Sequence, residues 1–312
     1  MSQMFRILVV RLGSMGDVIH ALPAVASLKH SFPHSRLSWV IKPRWAPLLG
    51  GNPFVDEIIP FTRSAREILA TRRLLRRERF ELAVDLQGLI QSALVAASAK
   101  ADKIVGLARS QARESFAAMF YSSAIRTSAV HRVDRYLELV AAAGASNLLR
   151  TFPLPPGKPE GTLPEGPFIL ACPLAGWGSK QWPIEHYTEL ARRLKLPLVV
   201  NGPPGAFDVL TQIKGAHVHL SGLEGLIDAT RRAQAIVGVD SGPVHLAAAL
   251  GKPGVAIYGP TDPASHGPYG GTLQVLRSST AVTSYKRRAA DLGSMRAVSV
   301  AEVLEALEMC PA

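Results

Sequence analysis

Residues 235–258 read A-I-V-G-V-D-S-G-P-V-H-L-A-A-A-L-G-K-P-G-V-A-I-Y. An apolar run at 235–239 is too short for a helix and reads as a buried strand. D-S-G then turns the chain, and Pro243 stands where a helix can begin. The helical pattern over 242–250 stops at G-K-P-G, and a second apolar run fills 254–258. Strand, helix and strand in that order make one parallel βαβ unit.

The same alternation runs outward in both directions. Towards the N-terminus it predicts strands near 168–172, 196–200 and 217–220, with helices near 184–194 and 223–233. A final helix fits about 299–308. The first half repeats the scheme, with strands near 5–10, 37–41, 55–59, 81–85 and 103–107 and helices near 17–31, 64–78, 88–99 and 131–143. Between the halves, residues 150–167 hold six prolines and three glycines, a composition that excludes regular structure. The expected organisation is an α/β chain with a domain at 1–150, a linker at 151–167 and a domain at 168–312. The last helix is able to pack back on the first domain. Each domain is Rossmann-like and doubly wound, the two facing a central cleft, with ligands at the carboxyl ends of the strands.

Composition narrows the function. The chain is 47% hydrophobic and 19% charged, enough to fill two cores. No stretch approaches the roughly 18 apolar residues of a membrane span. M-S-Q-M-F-R has no charged head followed by a long apolar segment, so no export signal is expected. Two cysteines, Cys172 and Cys310, have neither metal-ligand spacing nor a disulfide framework, and point to a reduced cytoplasmic setting. The 35 Lys and Arg outnumber the 24 Asp and Glu, a net +11 concentrated in the first half. Anionic lipid, phosphorylated substrate and nucleic acid are the partners such charge attracts. In R-R-L-L-R-R-E-R at 72–79, Leu74 and Leu75 are placed to pack while the arginines snorkel, which makes a solvated helix face.

Three turns could carry chemistry. The first, R-L-G-S-M-G-D-V at 11–18, follows a strand and opens a helix. Its glycines do not form G-x-G-x-x-G, so a dinucleotide fingerprint is a poor match. Asp17 there can cap the helix or act as a general base. A helix N-terminus lowers its pKa, whereas desolvation by a bound substrate raises it. In the second turn, Asp240, Ser241, Gly242 and His245 offer free N–H groups, a hydroxyl and an imidazole to a phosphate or pyrophosphate. An ordinary capped helix with Asp240 or Ser241 as the cap is the alternative. The third is G-W-G-S-K-Q-W-P at 176–183, where Lys180 can reach a phosphate as a point charge or simply face solvent.

These stretches together resemble glycosyltransferase family 9, the heptosyltransferases of lipopolysaccharide core synthesis. S-M-G-D-V-I-H-A-L-P-A (14–24), V-D-L-Q-G-L-I-Q-S-A (84–93), K-Q-W-P (180–183), V-D-S-G-P-V-H-L-A-A-A-L (239–250) and Y-G-P-T-D-P (258–263) stand in the family's order. The S-M-G-D turn, D-L-Q-G-L and A-R-E at 112–114 lean towards members that add the first heptose to Kdo–lipid A. The resemblance implies a GT-B architecture, acceptor on the first domain and ADP-heptose on the second, with inverting, metal-independent transfer and no further cofactor. It makes Asp17 the general base. It places Lys180, Asp240, Ser241, Gly242 and His245 on the donor, with Asp208 as a ribose partner. Arg113 falls on an acceptor-side arginine, with Arg63 and Arg66 as further candidates for the phosphate and carboxylates of the anionic lipid acceptor. It also implies a cytoplasmic enzyme in peripheral contact with the inner membrane.

Rival readings are another family 9 transferase with a different sugar or a later core acceptor, and a nucleotide-sugar epimerase on a related fold. A Rossmann oxidoreductase lacks its glycine fingerprint. Nucleic-acid binding is not expected, because only 6% of residues are aromatic and no recognised module is present.

Overall fold

A computed structural model describes residues 4–62, 64–284 and 293–310. The chain forms two compact units that divide between Pro155 and Pro156.

The first unit is a six-stranded parallel sheet in the order β3-β2-β1-β4-β5-β6. Its strands are β1 (Arg6–Val10), β2 (Arg36–Ile41), β3 (Glu57–Pro60), β4 (Leu82–Asp85), β5 (Lys103–Leu107) and β6 (Ser123–Ile125). Its helices are α1 (Met15–Ser31), α2 (Ala65–Arg77), α3 (Ile90–Ser98) and α4 (Arg132–Ala143). α1 packs with α4, while α3 packs with α2 and with a 3-10 segment, Ser115–Phe120. The two groups cover opposite faces of the sheet, and for that reason β1 is apolar without alternation. Leu8 and Val10 join Leu75 of α2 and Val95 of α3 in one core cluster.

α2 buries a narrow stripe, Thr71 and Leu75, one helical turn apart. Leu74, which the sequence placed in the core with Leu75, is exposed instead because it lies off that stripe.

The second unit repeats the design with β7 (Ile169–Cys172), β8 (Leu198–Gly202), β9 (His217–Leu220), β10 (Ala235–Val239), β11 (Gly254–Tyr258) and β12 (Leu273–Arg277). They are ordered β12-β11-β10-β7-β8-β9. Its helices are α5 (Ile184–Arg193), α6 (Phe207–Leu210), α7 (Leu223–Arg232), α8 (Gly242–Ala249), α9 (Pro263–His266), α10 (Gly293–Arg296) and α11 (Val300–Glu308). α11, the last helix, buries Val300, Val303 and Ala306 in the core of this second unit.

Counted from its own first strand, each sheet has the order 3-2-1-4-5-6. The chain reverses direction across the sheet between β1 and β4 in one unit and between β7 and β10 in the other. Loops at the carboxyl ends of those strands splay apart there and leave room for a ligand.

No helix or strand lies between Ala143 and Ile169. The proline-rich stretch is nevertheless held: Lys158 N–H donates to the Glu224 carbonyl at 3.1 Å, and Gly222 N–H donates to the Glu160 carboxylate at 2.5 Å. Gly157 adopts φ +83°, and a Cβ on it would stand 2.5 Å from the Asp228 nitrogen. Among the described residues, no helix is long and apolar enough to cross a membrane.

Candidate active site

Each unit gathers one group of polar side chains at its switch point. In the first, β1 ends at Val10 and the chain turns through Arg11–Ser14 into α1. Ser14 is the N-cap and Asp17 the third helical residue. One Asp17 oxygen accepts hydrogen bonds from the Ser14 N–H (3.0 Å) and the Ser14 hydroxyl (2.9 Å). The other meets the Arg11 guanidinium at 2.5 Å. Asp17 is therefore not the cap itself; it reaches back to the cap residue and also carries an ion pair that helix termination does not require.

Arg11 is 3% exposed. Its guanidinium donates to the Leu86 carbonyl at 2.9 Å and lies 5.7 Å from the Tyr136 ring centre. Arg132, also on α4, lies 5.9 Å from the same ring. Burial on its own would raise the Asp17 carboxyl. Arg11 first, then Arg132, the Ser14 N–H and His20, hold it well below the usual carboxylate range. The Asp17 side chain stays 20% exposed, so a polar group can still approach it.

D-L-Q-G-L braces this turn. Gln87 accepts the Leu12 N–H at 2.8 Å, which locks the loop after β4 to the loop after β1. Asp85 is fully buried and accepts from the Gln87 and Gly88 amides, the Ser92 hydroxyl (2.8 Å) and the Tyr121 hydroxyl (2.7 Å). Burial raises its carboxyl above the ordinary range against those four donors. Gly88 has φ +70° and passes close to the backbone of Ala112 and Arg113. The Glu114 N–H donates to the Gly88 carbonyl at 2.9 Å, and the Ile90 N–H donates to the Glu114 carboxylate at 2.7 Å. S-M-G-D, D-L-Q-G-L and A-R-E thus form one hydrogen-bonded edge, on which Arg113 is exposed.

Arg66, also exposed, opens α2 after the edge strand β3, two places from β1. Arg63 lies outside the described residues. Sequence reasoning gave Arg11, Arg132 and Gln87 no place in the site; Arg132 counted only towards the positive charge of the first half. A lone arginine closing an apolar strand was the available signal for the first.

Gly13 sits at φ +132°, and a Cβ there would lie 2.4 Å from the Trp45 indole nitrogen. Gly13→Ala should cost about 1–3 kcal/mol of stability and displace the Asp17 turn. Thermal melting with steady-state kinetics reads both effects, and unchanged values for both would show that the turn tolerates a side chain.

In the second unit, β7 leads into G-W-G-S-K-Q-W-P. Trp182 is buried, donates to the Val298 carbonyl at 2.8 Å and packs edge-on against Tyr187. That anchor fixes Lys180 two residues earlier. The Lys180 ammonium is 2.5 Å from an Asp240 oxygen and 4.4 Å from the Trp177 ring centre, and its side chain is 15% exposed. It does not simply face solvent. The same Asp240 oxygen accepts the Thr261 hydroxyl at 2.5 Å, and His245 Nε2 is 3.9 Å from the other oxygen. Loops after β7, β10 and β11 therefore converge on one carboxylate.

The capped-helix alternative fails in detail. Ser241 is the N-cap of α8, yet its side chain makes no cap hydrogen bond and, among the described residues, its buried hydroxyl has no hydrogen-bond partner. Asp240 is engaged with Lys180 and Thr261 instead. Gly242 and the first amides of α8 lie beside this group, an arrangement suited to an anion. Asp208 is exposed on α6 after β8; among the described residues, no hydrogen bond or ion pair joins its carboxylate to the Lys180–Asp240 group. Thr261, which sequence reading named only as part of Y-G-P-T-D-P, belongs to that group.

Comparison with known proteins gives a consistent picture. Residues 68–293 match glycosyltransferase family 9 (heptosyltransferase). Lipopolysaccharide heptosyltransferase 1 of Pseudomonas aeruginosa is 31% identical over 85% of this chain and 81% of its own. Lipopolysaccharide heptosyltransferase 2 of Salmonella typhimurium is 30% identical over 87% and 88%. Among solved structures, the E. coli heptosyltransferase WaaC with ADP superposes with a TM-score of 0.79 at 26% identity, covering 97% of this chain and 99% of that one. The E. coli WaaC structure with ADP-2-deoxy-2-fluoro heptose gives 0.77 over the same shares.

Proposed function

This chain belongs to glycosyltransferase family 9, the heptosyltransferases, and from that premise we propose that it moves L-glycero-D-manno-heptose from ADP-heptose to the Kdo of a lipid A precursor, with inversion at the anomeric carbon. It is a glycosyltransferase, and its relatives place it in lipopolysaccharide core synthesis. We assign the acceptor to the first unit and the donor to the second. The observation that carries the assignment is the contrast between the two switch points: an ionised carboxylate paired with a buried arginine at one, and a lysine with uncapped helix amides at the other.

In the reaction so assigned, Asp17 takes the proton of the acceptor hydroxyl as its oxygen attacks the anomeric carbon. The bond from that carbon to the diphosphate breaks, and ADP departs carrying the electron pair. Charge grows on the β-phosphate in this step, so fixed donors there bind the transition state more strongly than the ground state. Lys180, the α8 amides, the Ser241 hydroxyl and His245 would supply them. Asp240 is a poor phosphate ligand because both are anionic; its part is to hold Lys180 and Thr261 in place. A single displacement inverts the sugar carbon.

The first unit carries 21 Lys and Arg against 11 Asp and Glu, a net +10 of the chain's +11. That charge supports an anionic lipid acceptor and work at the cytoplasmic face of the inner membrane. Transfer of heptose from ADP-heptose to Kdo–lipid A in a purified assay tests the reading. Transfer only to an acceptor that already bears heptose would favour the later core step, which the likeness to heptosyltransferase 2 keeps open. Arg113→Ala should raise the acceptor KM about tenfold and leave the donor KM unchanged. An effect confined to the donor would reverse the assignment of the two units.

A further inference from the structure

The face of the first unit formed by α2, α3 and the 3-10 segment Ser115–Phe120 leaves apolar side chains outside. Leu69 on α2 is exposed, and its neighbours three residues before and three, four and seven residues after are Arg66, Arg72, Arg73 and Arg76, all exposed. At 3.6 residues per turn these five share one side of the helix, a leucine ringed by guanidinium groups. α3 packs against α2 and exposes Ile90 and Leu94, again four apart. The 3-10 segment packs against α3 and exposes Phe116 and Met119, the latter 76% exposed. Arg109 lies 5.6 Å from the Phe116 ring centre. Apolar groups recur on three successive elements of one layer, each row neighbouring the next. Arginine stands beside the first and last rows.

Solvation alone explains the arginines but not Leu69, Ile90, Leu94, Phe116 and Met119 left in water on the same layer. A basic protein groove is complementary to an acidic partner, yet only a bilayer offers negative headgroups and hydrocarbon together over such a breadth. We infer that this layer of the first unit is the surface that rests on an anionic lipid bilayer, with Leu69, Leu94 and Met119 entering the headgroup boundary while the arginines meet lipid phosphates. The inference deepens the proposed function, on which it rests, by naming the face that brings the enzyme to its lipid substrate.

The test uses the full chain and two variant sets outside both switch points. Leu69→Gln with Leu94→Gln and Met119→Gln removes the apolar contacts; Arg72→Gln with Arg76→Gln removes two charges. All five side chains are exposed, so melting temperatures should stay near wild type. Sedimentation is measured with phosphatidylcholine vesicles and with vesicles that also contain phosphatidylglycerol. The wild type should bind the mixed vesicles at least tenfold better, and each variant set should lower that binding about tenfold.

Turnover of a deacylated, water-soluble acceptor should be unchanged in both sets. Vesicle binding equal to wild type in either set would overturn the inference. So would wild-type indifference to the anionic lipid, or a dimer-to-monomer change in the apolar variant as the only effect. A wild type that binds mixed vesicles yet turns over no acceptor would count against the proposed function alone.

Discussion

Asp17→Asn is expected to abolish transfer while ADP binds with wild-type affinity. Loss of a positioned general base costs about a hundredfold to ten-thousandfold in rate, and the nucleotide is assigned to the other unit. The substitution also leaves Arg11 buried beside a neutral amide, a structural cost on the order of 3 kcal/mol. Melting temperature must therefore be read beside activity.

The direction of the Asp17 shift adds a pH signature. Its carboxyl is held below the ordinary range in the folded chain, so it contributes stability fully above the unfolded value of about 3.9 and loses that contribution as pH falls further. The Asn variant should show a flatter acid limb of stability. In the wild type, the acid limb of kcat/KM due to Asp17 should lie below the usual carboxylate range, because the free enzyme keeps this group ionised. Equal loss of ADP affinity and turnover in Asp17→Asn would make Asp17 a structural or donor-binding group.

Lys180→Ala should weaken ADP binding about tenfold to a hundredfold and slow transfer more than it weakens binding, since the lysine meets charge that grows as the diphosphate leaves. The single variant has a second effect. Asp240 is 10% exposed, and without Lys180 its carboxylate keeps, among the described residues, Thr261 and the more distant His245. Pairing Lys180→Ala with Asp240→Asn removes that orphaned charge. The double variant should regain melting temperature and stay defective towards ADP. Recovery of ADP affinity in the double variant would show that Lys180 serves Asp240 and not the nucleotide.

Strands flanked by clear turns were legible from apolar runs: β5, β9, β10 and β11 have the expected bounds, and most others differ by one or two residues. β6 and β12 were not predicted. Both are edge strands with partly exposed side chains, so neither carries the continuous apolar run of the central strands. The 3-10 segments Pro43–Leu49 and Ser115–Phe120 were missed for a related reason, because a three-residue period over one or two turns leaves little pattern.

Asp17, Lys180 and Asp240 could be singled out because each closes or follows a strand at a turn. Their partners could not. Arg11 is held by Leu86, 75 residues away, and Asp85 by Tyr121, 36 residues away. The pairing of β1 with β4 brings the first two together. The pairing of β4 with β5 and β5 with β6, with the 3-10 segment packed on α3, brings the second two together. The choice between cap and site at Ser241 likewise needed geometry: a serine before Gly-Pro is an ordinary N-cap by sequence, and its hydroxyl simply does not turn to the helix.

Hydrogen–deuterium exchange of the full chain, with and without ADP, tests the division of labour most directly. Slowed exchange in peptides covering 176–183 and 240–246, with the 11–17 turn unchanged, is the predicted result. Slowed exchange at 11–17 with 240–246 unaffected would contradict it.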